Sequence, residues 1–375
     1  MRIAQVSPLF ESVPPRMYGG TERVVSFLTE ELVRQGHQVT LFASGDSVTS
    51  AYLVSPIDEA LRLGDPTIDQ TVPQVLQLDQ VARAAREFDV IHWHVDTMHL
   101  PLTRRIPTAN VTTFHGRLDD LDRAALLQGF GDHPVVSISD AQRQPVPGLG
   151  WVATVYHGLP ADLYRGQAGD GGYLAFLGRI SPEKGPDRAI EIARRAGMPL
   201  RIAAKVDELD REYFETTIRP LLGDANVDFI GEINEGEKEE FLGGAAALLF
   251  PINWPEPFGL VMVEAMACGT PVVSFRCGST PEIIRPGVSG FLVDDIAGAV
   301  EAVGHVGDLP RAAVRAEFDR RFTAERMAHD YISVYEEIIR SREMPGGRAA
   351  AGETMADLDL DAERGKEPSE PSVVG

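Results

Sequence analysis

The chain has 375 residues, with 35 Lys plus Arg against 56 Asp plus Glu and a formal net charge of −21. That length exceeds one ordinary domain and suits two, and the charge argues against nucleic acid or an anionic membrane surface as partner. Two cysteines, Cys268 and Cys277, give no disulfide framework and are expected as buried thiols, and no stretch reaches the roughly 18 apolar residues of a membrane span. The N-terminus runs straight into a strand, so no signal peptide is expected and the chain reads as cytoplasmic. A nucleotide ligand fits these bounds, because a few local cations are enough to hold one.

In chain order, Ile3 to Ser7 reads as a strand, followed by a Pro-rich loop and Tyr18-Gly19-Gly20-Thr21-Glu22. A helix is predicted from there to Gly36, with Thr21 as its N-cap and Val24, Leu28 and Leu32 as its apolar stripe. Gln38 to Ala43 is the next strand. Two adjacent glycines before a helix let backbone N–H groups approach a phosphate closely, although such pairs also serve as plain turns. They do not form the G-x-G-x-x-G fingerprint, which counts against a dinucleotide-dependent dehydrogenase. Residues 45–75 show no clear period and read as an irregular excursion. Asp89 to His94 is a buried strand with His92 and His94 on one face, but no nearby Asp, Glu or Cys completes a metal site. Asn110 to Phe114 is a strand ending in His115-Gly116, which the switch-point rule places in a cleft; the alternative is a structural, hydrogen-bonded histidine. Val135 to Ser139 and Val152 to Tyr156 complete an alternating βα series, so residues 1–160 are expected to form a doubly wound parallel sheet.

Pro160 to Gly172 is rich in Gly and Asp and is the expected hinge. A second βα domain is expected over 161–322. Its first strand ends in Gly178-Arg179, and Lys184-Gly185 precedes a helix starting at Pro186. Lysine occurs only at 184, 205, 238 and 366, so one placed five positions after an arginine at a strand-to-helix turn is a candidate phosphate ligand. Leu200 to Ala204 and Val227 to Gly231 are further strands. The apolar run at Ala247 ends at Pro251, a turn carries Glu256-Pro257-Phe258, and a helix is predicted over 259–268. Its N-terminus would aim free N–H groups into the crevice of the sheet, between Glu256 at the turn and Glu264 in the second helical turn. A ligand with anionic phosphates flanked by two hydroxylated rings, such as a sugar nucleotide, suits that layout. Gly278 to Glu282 begins a short helix whose N–H groups would add to the same phosphate site.

Residues 256–273, Glu-Pro-Phe-Gly-Leu-Val-Met-Val-Glu-Ala-Met-Ala-Cys-Gly-Thr-Pro-Val-Val, resemble the signature of the retaining glycosyltransferases of family 4. The Gly178-Arg179 and Lys184-Gly185 spacing matches the same family. The resemblance implies the α/β GT-B fold, two Rossmann-like doubly wound parallel-sheet domains facing a central cleft. It implies that Glu256 contacts the donor sugar and Glu264 the nucleotide ribose. The Gly19-Gly20 loop would close over the donor diphosphate, with Pro257, Phe258, Gly259 and Leu260 on its other side. His115 would lie near donor sugar and acceptor, and the turn through Gly231 and Ile233 near the base. Arg179 and Lys184 would stabilise the departing diphosphate, so neither a metal nor another cofactor is expected. Arg179, Lys184, Glu256 and His115 form the expected catalytic set.

The same fold implies a terminal helix, over 323–340, that crosses back onto the first domain. From 341 the composition turns to Gly, Pro and charge, as in a disordered tail. Asp357, Asp359 and Asp361 there imitate the Asp-x-Asp metal motif of GT-A enzymes without its folded context. A sugar phosphorylase, a nucleotide-sugar epimerase or hydrolase, and a non-catalytic sugar-nucleotide sensor are the competing readings. Thirteen arginines, no lysine and nineteen acids through Arg165 lean toward a soluble small-molecule or glycan acceptor, and UDP-glucose is the default donor of the family.

Overall fold

The computed structural model describes residues 1–343 except 18, 63, 65–68, 166–170 and 224–225. Residues 344–375, including the Asp-x-Asp imitation, lie outside the described residues. The first sheet contains β1 (Arg2–Val6), β2 (Gln38–Phe42), β3 (Tyr52–Val54), β4 (Val90–Trp93), β5 (Ala109–Thr113), β6 (Val135–Ser137) and β7 (Trp151–Thr154). Its order is β3-β2-β1-β4-β5-β6-β7, with every pairing parallel. The central strands β4 and β5 are buried throughout, on both faces, so neither alternates buried with exposed residues.

The second sheet contains β8 (Leu174–Arg179), β9 (Leu200–Lys205), β10 (Val227–Gly231), β11 (Ala247–Phe250), β12 (Val272–Phe275) and β13 (Gly290–Val293). Its order is β10-β9-β8-β11-β12-β13, again parallel. In each sheet the strand order reverses once near the middle, between β1 and β4 and between β8 and β11. A crevice opens at the carboxyl ends of strands at such a reversal. His94 follows β4, Arg179 ends β8 and Pro251 follows β11, so the local sequence places these groups at the two crevices.

Two segments tie the halves together. Leu159 bridges Thr323, with Leu159 N–H donating to Phe322 O at 2.9 Å and Ala324 N–H to Leu159 O at 2.7 Å. A side chain at Gly158 would put a carbon 2.2 Å from Thr323 O, so only glycine admits this crossing. The last helix, Ala324–Glu343, then lies against the first sheet, where Met327, Tyr331 and Tyr335 join Ile3, Leu28 and Val90 in one core. It includes residues 341–343, three beyond the predicted end.

Three expectations are corrected. The first helix, α1 (Gly20–Arg34), is capped by Gly19 and not by Thr21, with no side-chain cap bond. Cys268 is buried as expected, but Cys277 is half-buried. The short helix Thr280–Ile283 does not serve the cleft: Ser279 donates to Phe258 O at 2.9 Å, and Glu282 accepts from the amides of Asp140 and Ala141 at 2.8 Å. It buttresses the Glu256 turn and clamps the second domain to the first.

Candidate active site

A cavity of about 840 Å³ lies between the two sheets and is lined from both. On the second-domain side, β11 leads into the Glu256 turn and then into helix α2 (Leu260–Ala267). Gly259 caps that helix at φ 79°, in the left-handed region, and a Cβ there would lie 2.7 Å from Met262 Cε. The turn can be this tight only with glycine, and it leaves the first-turn amides of α2 without helical partners beside the cavity. Across the cleft, Gly20 at the start of α1 faces Leu260, whose Cδ1 is 3.8 Å from where a Gly20 Cβ would be. Two helix N-termini, each carrying a partial positive charge, therefore meet at one place.

The cations and acids around them are already paired. Lys184 Nζ donates to Glu256 Oε2 and stands 4.6 Å over the Trp254 ring. Arg179 donates through Nη2 to Glu183 at 2.6 Å, with Asp210 at 3.3 Å and Asp207 at 3.8 Å. Glu256 is buried, and Glu264 is buried on α2 with Oε1 accepting from Lys238 Nζ at 2.7 Å. Among the described residues, no group of three or more His, Cys, Asp or Glu is arranged to hold a metal ion.

The first-domain wall is built on histidines and carboxylates. His115 Nε2 meets His94 Nδ1 at 2.9 Å, and His94 Nε2 meets Gln5 Oε1 at 2.7 Å. His115 also stacks on His157, whose ring lies edge-on to Phe258 at 4.7 Å. Burial pushes the His115 imidazole down to about 3, so it is neutral in ordinary buffers. His92 is not a metal ligand here: it bonds Tyr335 at 2.7 Å and Thr113 at 2.8 Å. Glu22, in the first turn of α1, is 6% exposed, and burial with the nearby charge of Glu11 pushes its carboxyl up to about 7.

Two family models match the chain. Glycosyltransferase Family 4 covers residues 18–141 and Glycosyl transferases group 1 covers residues 165–304, together most of the sequence and all of the cavity motifs. The chain belongs to the family 4 glycosyltransferases. Like that family, it is a GT-B glycosyltransferase. A phosphatidyl-myo-inositol mannosyltransferase of Mycolicibacterium smegmatis is 26% identical over 92% of this chain and 95% of its own. An uncharacterized glycosyltransferase of Methanocaldococcus jannaschii is 26% identical over 81% and 89%. The crystal structure of AviGT4, a glycosyltransferase of avilamycin A biosynthesis, is 25% identical with TM-score 0.68, covering 90% of this chain and 98% of that one. HepE from Anabaena, solved with UDP-glucose, shares the fold at 18% identity and TM-score 0.64, over 90% and 100%.

In this family 4 chain the cavity brings together Gly19, Gly20, His115, Arg179, Lys184, Glu256, Glu264 and the segment Pro257 to Leu260. The base-side turn is split: Ile233 lines the cavity, whereas Gly231, at φ 80°, only turns the chain at the end of β10. The excursion at 45–75 holds β3 and sends Arg62 to the cavity, where it pairs with Glu11 at 2.6 Å. Sequence reasoning missed Glu183, Trp254, His157 and Lys238. The scarcity of lysine was the signal that could have found Lys238.

Proposed function

We propose that this glycosyltransferase moves a sugar from a nucleoside diphosphate sugar, UDP-glucose by family default, to a hydroxyl of a small-molecule or glycan acceptor, with retention and without a metal ion. The observation that carries the reading is the convergence of Arg179, Lys184 and the first turns of α1 and α2 on one cavity, between Glu256 and Glu264. Cations and helix ends suit a diphosphate, and carboxylates suit the hydroxyls of sugar and ribose.

In this reading Lys184 leaves Glu256 for the diphosphate, and Glu256 turns to the donor sugar. The acceptor oxygen bonds to the anomeric carbon on the face from which the diphosphate departs. The breaking C–O bond leaves its electron pair on a phosphate oxygen, which takes the acceptor's proton. Arg179, Lys184 and the α2 amides hold the growing charge in a cleft that excludes water. His115, neutral and fixed by His94, offers shape and a hydrogen bond but no acid. Retention follows from the family. Relatives named for inositol 3-phosphate and phosphatidylinositol support a polyol acceptor.

The test is nucleotide release from UDP-, GDP- and ADP-sugars, with and without a panel of polyol acceptors, with EDTA present and Glu256→Ala as control. Release from one donor that survives EDTA and disappears in the variant is expected. Release abolished by EDTA and restored by a divalent ion would overturn the metal-free mechanism. A product formed equally fast without any acceptor would favour an epimerase or hydrolase.

A further inference from the structure

Lysine occurs four times in this chain, and the reading above uses only Lys184. Lys238 sits on the helix Glu235–Gly243, is 9% exposed, and lines the same cavity. Its Nζ donates to Glu264 Oε1 at 2.7 Å and lies 3.3 Å from Glu235 Oε2. Glu235 accepts from the Tyr164 hydroxyl and pairs with the guanidinium of Arg23, which α1 brings over from the first domain. Arg23 also donates through Nη2 to Met17 O at 2.8 Å, in the loop that leads to Gly19. Opposite charges therefore alternate along one line: Arg23, Glu235, Lys238, Glu264. The line starts at the glycine loop of one domain and ends on a cavity carboxylate of the other.

Burying an ammonium is costly unless it is paired, and burial lowers the Lys238 pKa against the pull of Glu264. For stability, a well-packed apolar side chain would serve this position as well as an ion pair does. What the ammonium adds is a fixed place for the Glu264 carboxylate.

We infer that Lys238 is a positioning residue for donor recognition. By holding Oε1 of Glu264 it presents the other carboxylate oxygen to the ribose hydroxyls of a nucleoside diphosphate, and Glu235 and Arg23 hold it in place. This rests on the nucleotide-sugar reading of the cavity.

The experiment measures binding of UDP, GDP and ADP, each beside its 2′,3′-dideoxy form, to the full chain by titration calorimetry. The wild type is expected to prefer one ribonucleotide over its dideoxy form by about tenfold or more, the scale of a hydrogen bond to a charged group. Lys238→Met should cut that preference to about threefold or less while binding the dideoxy form nearly as well, and Lys238→Arg should restore most of it. Equal weakening of both forms by Lys238→Met would mean a purely structural role and overturn the inference. Should Lys238→Met fail to fold, Glu235→Gln breaks the line one link away, and an unchanged ribose preference there overturns the inference too. Wild-type protein that binds no nucleotide, or binds both forms alike, overturns the underlying nucleotide reading and the inference with it.

Discussion

Replacing Arg179 with alanine tests the site most directly. The side chain ends β8 about one-third exposed, so its interactions are only partly screened. A charge-assisted hydrogen bond contributes roughly 1.5–3 kcal/mol, and a guanidinium fork can offer two to a phosphate. The gain is an exchange, however, because Arg179 already donates to Glu183 at 2.6 Å and lies near Asp210 and Asp207. That lowers the expected net loss to about 3–4 kcal/mol, or 10²–10³ in turnover, the scale of deleting one oxyanion donor. Alanine also leaves three carboxylates facing the diphosphate. Arg179→Ala/Glu183→Gln should therefore recover about tenfold of the loss, a coupling that independent sites would not show. The assay is nucleotide release at saturating donor, with melting curves confirming the fold of each variant. Activity of Arg179→Ala within a few fold of wild type would refute the leaving-group role, and a double variant no better than the single one would refute the repulsion argument.

Two further outcomes test the packing around the cavity. Glu22 has a folded pKa of about 7 against 4.5 when exposed, so stability is full below pH 4.5 and is lost as pH rises through 7. The loss is at most about 3 kcal/mol. Glu22→Gln should be more stable than wild type near pH 8 by an amount that vanishes toward pH 4.5, and a pH-independent difference in denaturation midpoints would rule this out. Tyr335→Phe strips the hydroxyl that bonds Gln5 Nε2 at 3.0 Å and His92 Nδ1 at 2.7 Å, all of them buried. Orphaning these groups should cost about 1–3 kcal/mol in denaturant unfolding, and a cost below about 0.5 kcal/mol would show that the crossing helix docks by apolar contact alone.

The fold was legible because buried parallel strands flanked by helices leave apolar runs in the sequence, as at Ala247–Phe250 and Val135–Ser137. The Glu256-to-Glu264 stretch was legible because turn, helix start and carboxylates all lie within nine residues of one another. What could not be read was decided across the chain. Thr21 is a sound local cap, but Gly19 takes that place, where a Cβ would lie 2.7 Å from Pro15 Cβ. Asn234-Glu-Gly-Glu-Lys238-Glu-Glu reads as a solvated helix start, and its capping box is indeed local. Nothing in that string shows that Lys238 turns inward to Glu264 or that Glu235 meets Arg23 of the other domain. Likewise Gly278 to Glu282 looks like one more anion-binding turn until its partners, Phe258, Asp140 and Ala141, are known.

The pairing of cations with acids in the cavity bears on selectivity under the proposed reading. Lys184 holds Glu256, Lys238 holds Glu264, and Arg179 sits among Glu183, Asp207 and Asp210. An unpaired cation here would collect any phosphate in solution. With each cation engaged, a free anion must break an ion pair and leave a carboxylate beside its own charge, which is unfavourable in a confined cleft. A nucleoside diphosphate sugar meets both demands at once: its phosphates take Lys184 and Arg179, and its sugar hydroxyls donate to the released Glu256. The acids thus discriminate against ligands that carry charge without hydroxyls, a rejection built from repulsion as much as from attraction.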